Sequence, residues 1–245
     1  MRPAFEAIAE TQQRATVSDW YVTQPDHAHI SGELAAAFDS RKVPNLSKAV
    51  LRAIAVHDVG WMPYDGDMTS PGKPIELNPG GVLSFANTEP EMFLRAWLGS
   101  IQAAQSTGAL GGLLVSEHFA RLTHMYLKRG AGTPEQRTLV EQFLCREAAR
   151  VERLKPQAGL SAEEIEALIG VLQFCDLASL YFCANPESPV ELPQTLNGSR
   201  VQFSFEQGSF RMRPNLLDHV LVVEIPCVRW VEGRAEREIV PIKVQ

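Results

Sequence analysis

The chain has 245 residues, of which 45% are hydrophobic and 21% are charged, and its formal net charge is -6. This composition is typical of a globular protein that can bury a full core. The acidic balance argues against a nucleic-acid surface, because such surfaces are basic. The sequence shows no signal region and no membrane span, so we expect a cytoplasmic protein without membrane contact. Its four cysteines form no C-x-x-C pair, and we expect reduced thiols.

Hydrophobic periodicity and capping residues predict six helices in the first three quarters of the chain. We expect them at about 27–39, 47–57, 89–105, 109–128, 134–154 and 162–183. Asp26 is the expected cap of the first helix, and capping boxes begin at Thr133 and Ser161. Residues 59–88 are rich in Gly, Pro, Asp and Asn, and an irregular stretch of that length in a compact domain is often functional.

The hydrophobic pattern of the sequence changes from helical to β-like after Asn185-Pro186. Alternating or β-rich segments follow at 201–205, 210–213, 221–231 and 238–244, which predict short strands. We therefore predict a mainly α protein. A helical body would cover residues 1–185, and a small β-rich C-terminal region, residues 190–245, would pack on it.

Four polar residues fall on the apolar faces of predicted helices: His27, His57, His118 and Asp176. A buried carboxylate is expensive unless it is paired or bound to a metal. A single inward histidine is commonly a core residue, but three histidines and two aspartates, with Asp58 adjacent to His57, favour a shared metal ion. The two other histidines in this region, His29 and His124, lie off these faces and should be outside the site.

These residues resemble the pattern of the HD-domain metal-dependent phosphohydrolase superfamily. Its members carry a first His, then an adjacent His-Asp pair, then a distant Asp on a later helix. More narrowly, the chain is similar to a little-characterised bacterial branch that shares Gln-Pro-Asp-His-Ala, His-Asp-x-Gly-Trp and Val-Ser-x-His-Phe. Those three motifs stand here at residues 24–28, 57–61 and 115–119.

The resemblance implies an HD-type helical bundle and a metal-dependent hydrolase of phosphate esters. The implied metal ligands are His27, His57, Asp58 and Asp176. A set of nitrogen and oxygen ligands suits Mn, Fe, Ni, Mg or Zn. Bound metal would activate water and polarise a phosphoryl oxygen. The implied substrate is a small phosphorylated molecule, and a homodimer is a possible assembly.

His118 is the informative addition to this set. It could help to hold a second metal, contact substrate phosphate or act as an acid, with Asp58 as the other catalytic candidate. The two further histidines that bimetallic members of the superfamily usually supply are not evident. Candidate substrate contacts follow the signature or lie one turn from His118; they are Trp61, Tyr64, Asp65, Asp67, Lys73 and Arg121.

Three other functions stay open at this point. The first is a non-catalytic metal- or ligand-binding regulatory module. The second is an HD-type di-iron oxygenase, which needs further ligands such as His118 and His124, although the helical phase argues against His124. The third is a structural role in which the inward His/Asp set is a hydrogen-bonded core without metal.

Overall fold

The computed structural model describes residues 20–65, 83–130, 132–184, 188–231 and 234–245. Within these residues the helices are α1 Gln24–Ala36, α2 Lys48–Ala55, α3 Pro90–Gln105, α4 Ala109–Lys128, α5 Pro134–Ala158 and α6 Ala162–Cys183, and a 3₁₀ helix covers Val59–Trp61. The strands are β1 Trp20–Tyr21, β2 Val190–Leu196, β3 Ser199–Glu206, β4 Ser209–Arg213, β5 Leu221–Val231 and β6 Arg234–Val244. Helix α1 packs against β5 and helix α6 packs against β2, whereas the other helices pack mainly against helices.

The helices begin where local hydrogen bonds satisfy their first N–H groups. The capping boxes predicted at Thr133 and Ser161 are both present. Helix α1 begins three residues earlier than predicted, because the side chain of Thr23 caps it and accepts from the Asp26 N–H. Asp26 instead lies in the first turn of α1.

The prediction of a mainly α protein with a small C-terminal β region is wrong. Within the described residues the structure is 54% helix and 22% strand, and their strands form one sheet of six in the order β1-β5-β6-β4-β3-β2. Strands β4 and β6 are parallel, and the other neighbours are antiparallel. The sheet is not confined to the C-terminal part, since Trp20 and Tyr21 of β1 pair with Arg229 and Val228 of β5.

Aromatic side chains join the sheet to the helices in one continuous core. The ring of Phe182 on α6 lies 5.3 Å from that of Phe203 and 4.7 Å from that of Phe210. Aromatic pairs of this kind contribute about 0.5–1.5 kcal/mol beyond the area they bury. Because the inner face of the sheet completes the surroundings of α6, it cannot be treated as an appendage.

Helix α6 is the one described helix that is long and apolar enough to cross a membrane by length and composition. In the folded protein 72% of its apolar window is buried. The apolar surface of α6 is therefore used for internal packing, as in a core helix of a soluble protein.

Two glycines allow the site-bearing elements to approach closely. A Cβ atom on Gly32 of α1 would lie 2.5 Å from the Cβ of Ala55 on α2. A Cβ atom on Gly60 of the 3₁₀ helix would lie 1.9 Å from the carbonyl oxygen of Ala96 on α3. Only a residue without a side chain fits at either contact.

Candidate metal centre

Three buried side chains from three parts of the helical region meet at one point. His27 lies on α1, His57 follows the end of α2, and Asp176 lies on α6. The Oδ1 atom of Asp176 is 3.3 Å from His27 Nε2 and 3.4 Å from His57 Nε2. One ligand atom from each residue lies within 4.8 Å of the other two, so the group could hold a metal ion.

The imidazole of His57 is oriented by the backbone of its own helix. Its Nδ1 lies 2.7 Å from the carbonyl oxygen of Ile54, to which it donates. Its Nε2 is buried and makes no well-formed hydrogen bond among the described residues. Metal-binding histidines commonly use one ring nitrogen in this way, which directs the other toward the metal.

Two nearby carboxylates favour the protonated, positively charged form of His57. Burial alone would lower the pKa of His57, but the Asp176 carboxylate at Nε2 and the charge of Asp58 outweigh it and raise the pKa to about 9. Burial would raise the pKa of Asp176, but His27 and His57, which contact its carboxylate, hold that pKa below its usual range. Without a metal, a proton on His57 balances the two acids, and a divalent cation can replace that proton.

Asp58 stands slightly outside the closest group of three. Its Oδ2 lies 3.5 Å from His27 Nε2 and 3.7 Å from His57 Nε2. Burial raises the pKa of Asp58, while a hydrogen bond from the Trp61 side chain acts in the opposite direction. Small shifts of the Asp58 carboxylate would bring it into coordination with a metal held by the other three residues.

The unpaired atoms of this cluster fit a bound cation. Among the described residues, Asp58 Oδ1 is buried and lacks a hydrogen-bond partner, and His57 Nε2 is buried and makes no well-formed hydrogen bond, although Asp176 Oδ1 lies 3.4 Å from it. Leaving such a group unpaired costs about 1–3 kcal/mol, and more when it is charged. Imidazole nitrogens and carboxylate oxygens without thiolate are the donors of Mn, Fe, Ni and Zn sites, so the donor set is suitable for a divalent metal.

His118 of α4 adjoins the other oxygen of Asp176. Its Nε2 lies 3.8 Å from Asp176 Oδ2, and its ring packs edge-on against His57 at 5.5 Å between centroids. Burial lowers the pKa of His118 to about 3, so the imidazole is neutral. His118 therefore belongs to the same cluster, but it lies outside the group of three whose ligand atoms are closest together.

Two serines that the sequence analysis did not select hold α1 against α6 beneath the ligands. Ser31 Oγ donates to Ser179 Oγ at 2.8 Å, and Ser179 Oγ donates to the carbonyl oxygen of Asp176 at 2.8 Å. Each serine lies one helical turn after a ligand, His27 or Asp176, on the same buried face. That spacing is the sequence signal that could have identified them.

The predicted substrate contacts have different surroundings. Trp61 is 1% exposed, its indole faces Asp58 closely enough to lower the pKa of that carboxyl, and its ring lies 6.1 Å from the ring of the half-buried Tyr64. Its indole lies beside the candidate metal ligand Asp58. Asp67 and Lys73 lie outside the described residues.

Three polar residues on the helices, Arg121, His29 and His124, lie outside the cluster. The guanidinium of Arg121 bonds to Glu166 and Gln173 on α6, with 3.1 Å to Gln173 Oε1. His29 and His124 are both exposed, as their helical phase predicts. The surface position of His124 removes one of the two additional ligands, His118 and His124, that were considered for a di-iron site.

Removing the hydrogen bond from Trp61 is expected to weaken metal binding. Trp61→Phe keeps an aromatic ring in the core but deletes the indole N–H that bonds to Asp58. Loss of such an orienting bond typically lowers metal affinity about 10–100-fold. Isothermal titration of the metal-free variant with Mn²⁺ or Zn²⁺ measures the effect, and Tyr64→Phe, which keeps the ring contact with Trp61, is the control. Equal affinities in Trp61→Phe and wild type would show that the indole does not orient Asp58.

Comparison with known proteins gives a family but no activity. A family model described as "Protein of unknown function (DUF3891)" matches residues 11–229. Searches of the curated proteins and of the solved structures found no match. The family match covers β1, all the described helices and most of the sheet, and it includes every ligand of the candidate metal centre. The chain therefore belongs to the protein family DUF3891, whose function is unknown.

Proposed function

We propose that this protein is a metal-dependent hydrolase of phosphate esters, with His27, His57, Asp58 and Asp176 as the metal ligands. The observation that carries the proposal is the buried group of His27, His57 and Asp176, with ligand atoms within 4.8 Å of one another. The order of these residues along the chain, with Asp58 directly after His57, is the order that the HD-domain superfamily shows. That resemblance supports the choice of phosphate esters.

The carboxylates are the less completely buried members of the cluster. The side chains of Asp58 and Asp176 are 11% and 9% exposed, whereas those of His27 and His57 are 2% and 0% exposed. A substrate would approach from the side of these carboxylates, where its phosphoryl oxygens could meet the metal. The histidines would remain screened from water behind it.

A divalent metal held in this position lowers the pKa of a bound water and polarises a phosphoryl oxygen. The residues of the chain supply the positioning. Asp176 orients two imidazoles through Oδ1 and faces His118 through Oδ2. Because His118 is neutral, it can donate one hydrogen bond to Asp176 or to bound phosphate without adding charge. Asp58 directly precedes the 3₁₀ helix, and the indole of Trp61 on that helix faces its carboxyl group.

We also propose a small phosphorylated molecule as substrate and the cytoplasm as the location. A chain with a net charge of -6 repels polyanions such as nucleic acids. Cys175 and Cys227 are buried free thiols, which is typical of a reducing compartment.

Two measurements test this function: the metal content of the protein and the release of phosphate from a panel of phosphate esters. Protein purified and reconstituted with Mn, Fe, Ni, Zn or Mg is expected to retain a stoichiometric metal and to release phosphate from simple monoesters or diesters. Asp176→Ala should lose both properties, because it removes the oxygen that lies between the two imidazoles. Wild-type protein that retains no metal contradicts the metal centre. Metal retention without hydrolysis of any ester contradicts the hydrolase and favours a metal-binding regulatory module.

A further inference from the structure

Asp65 is held between the two elements that carry the metal ligands His27 and Asp58. Its backbone N–H donates to the carbonyl oxygen of Trp61 at 3.1 Å. Its Oδ2 accepts from the backbone N–H of Gln24 at 3.0 Å. Gln24 is the first residue of α1, three positions before His27, so Asp65 lies at the end of α1 nearest the cluster.

One oxygen of this carboxyl group has no hydrogen-bond partner among the described residues. The Asp65 side chain is 2% exposed, and its Oδ1 is buried without a hydrogen-bond partner among the described residues. The cost of an unpaired buried carboxylate oxygen is large enough that such atoms usually have a ligand or carry a proton. Since Oδ2 accepts from Gln24, the protonated form of Asp65 carries its hydrogen on Oδ1.

The charges that face Asp65 favour this protonated form. Asp58, from the segment after α2, and Asp26, from α1, both act on Asp65, and both are acidic. Burial first, and then these two charges, raise the pKa of Asp65 to about 7, although the Gln24 N–H opposes the shift. A carboxylic acid with a pKa near the working pH can give up its proton and recover it in each catalytic cycle.

We propose that Asp65 is the general acid of the centre and delivers the proton on its Oδ1 to the leaving oxygen of a phosphate ester bound at the metal. This role rests on the proposed function and adds a residue that the ligand set does not include. The resemblance to HD-domain proteins does not assign it.

The proton transfer completes an ordinary hydrolysis. The attacking water forms the new O–P bond, and the P–O bond to the alcohol breaks with its electron pair on the alcohol oxygen. That oxygen takes the proton from Asp65 Oδ1 and leaves as a neutral alcohol. The hydrogen bond from Gln24 N–H stabilises the carboxylate that remains. The proton released by the attacking water passes to solvent, and one proton from solvent restores the acid.

The test compares two esters that differ in their need for a proton. The nitrophenolate of p-nitrophenyl phosphate leaves as a stabilised anion, whereas the alkoxide of ethyl phosphate needs protonation. In Asp65→Asn, an amide oxygen still accepts from Gln24 N–H, but no acid is present. We expect kcat on ethyl phosphate to fall about 10²–10⁴-fold and kcat on p-nitrophenyl phosphate to change only a few-fold. Asp218→Asn, at an aspartate with a 65% exposed side chain, is the matched control and should behave as wild type.

A second readout does not depend on activity. In metal-free protein labelled with carbon-13 at the aspartate carboxyls, one carboxyl should titrate near neutral pH in wild type and be absent in Asp65→Asn. Retained metal content and melting temperature in Asp65→Asn would exclude a purely structural effect.

The outcomes separate the two proposals. An active wild type with an Asp65→Asn variant that loses both esters equally, or neither, overturns the role of Asp65 and leaves the proposed function intact. A titration of Asp65 in the range of an ordinary exposed aspartate also overturns that role. A metal-loaded wild type that hydrolyses neither ester contradicts the proposed function and the acid together.

Discussion

His57→Ala is expected to lose its bound metal while its helices remain folded. The substitution removes one of the three closest ligand atoms, and the Ile54 carbonyl loses the N–H that orients the ring. The loss of affinity should exceed the roughly 10–100-fold effect of deleting an orienting hydrogen bond, because a metal–nitrogen bond itself disappears. Elemental analysis after gel filtration measures retained metal, and far-ultraviolet circular dichroism measures helix content.

His29→Ala is the matched control for this variant. His29 lies on α1, like the ligand His27, but its side chain is 68% exposed and contacts only Glu33 at 3.6 Å within the described structure. Surface pairs of this kind contribute little to stability, about 0.3–0.5 kcal/mol within a helix. Metal content equal to wild type in both His57→Ala and His29→Ala would contradict the ligand assignment.

The same pair of variants separates metal binding from folding. A ligand that binds only the folded state stabilises it by about 2.7 kcal/mol at a hundred times its dissociation constant. Added metal should therefore raise the melting temperature of wild type and of His29→Ala. It should leave the melting temperature of His57→Ala almost unchanged.

Gly60→Ala is expected to destabilise the protein and to weaken metal binding together. The new Cβ would lie 1.9 Å from the carbonyl oxygen of Ala96 and 2.6 Å from the backbone nitrogen of Ser100. Both are backbone atoms of α3, which cannot move as a flexible side chain could. The 3₁₀ helix would have to shift away from α3, which would also strain the bond from Gly60 N–H to Ser100 Oγ.

The expected loss of stability is about 1–3 kcal/mol, as for other overpacked sites. The shift would displace Asp58 and Trp61, which flank Gly60, so metal affinity should fall as well. Gly170→Ala on α6 is the control, because its Cβ would meet no atom within 4 Å. That change should stabilise the protein by about 0.5–1 kcal/mol through helix propensity. Denaturant unfolding of both metal-free variants measures the difference, and equal stability of Gly60→Ala and wild type would show that the 3₁₀ helix and α3 can separate freely.

The core of the metal centre could be predicted because the phase of a helix is a local property. Each of His27, His118 and Asp176 is flanked at helical spacing by apolar residues, so each must face the interior if its helix packs at all. All three are buried in the structure. The exposure of His29 and His124 follows from the same argument.

The partners of the predicted substrate residues could not be found in this way. Arg121 is half-buried and lies one turn from His118, but its guanidinium bonds to Glu166 on another helix. Trp61 belongs to the signature, yet its indole faces back toward Asp58. Helical phase determines which face a side chain lies on, whereas its partner depends on how two distant segments are docked.

By itself, the sequence determined the helices and the inward set of histidines and aspartates, because capping and periodicity act over about four residues. Only the tertiary structure decided the extent of the sheet, in which Trp20 pairs with Arg229 from the other end of the chain. It also decided that one oxygen of Asp176 lies between two imidazoles while the second faces His118. Strand pairing and ligand geometry require contacts between residues far apart in the chain, and such contacts leave no periodic signal in the sequence around either partner.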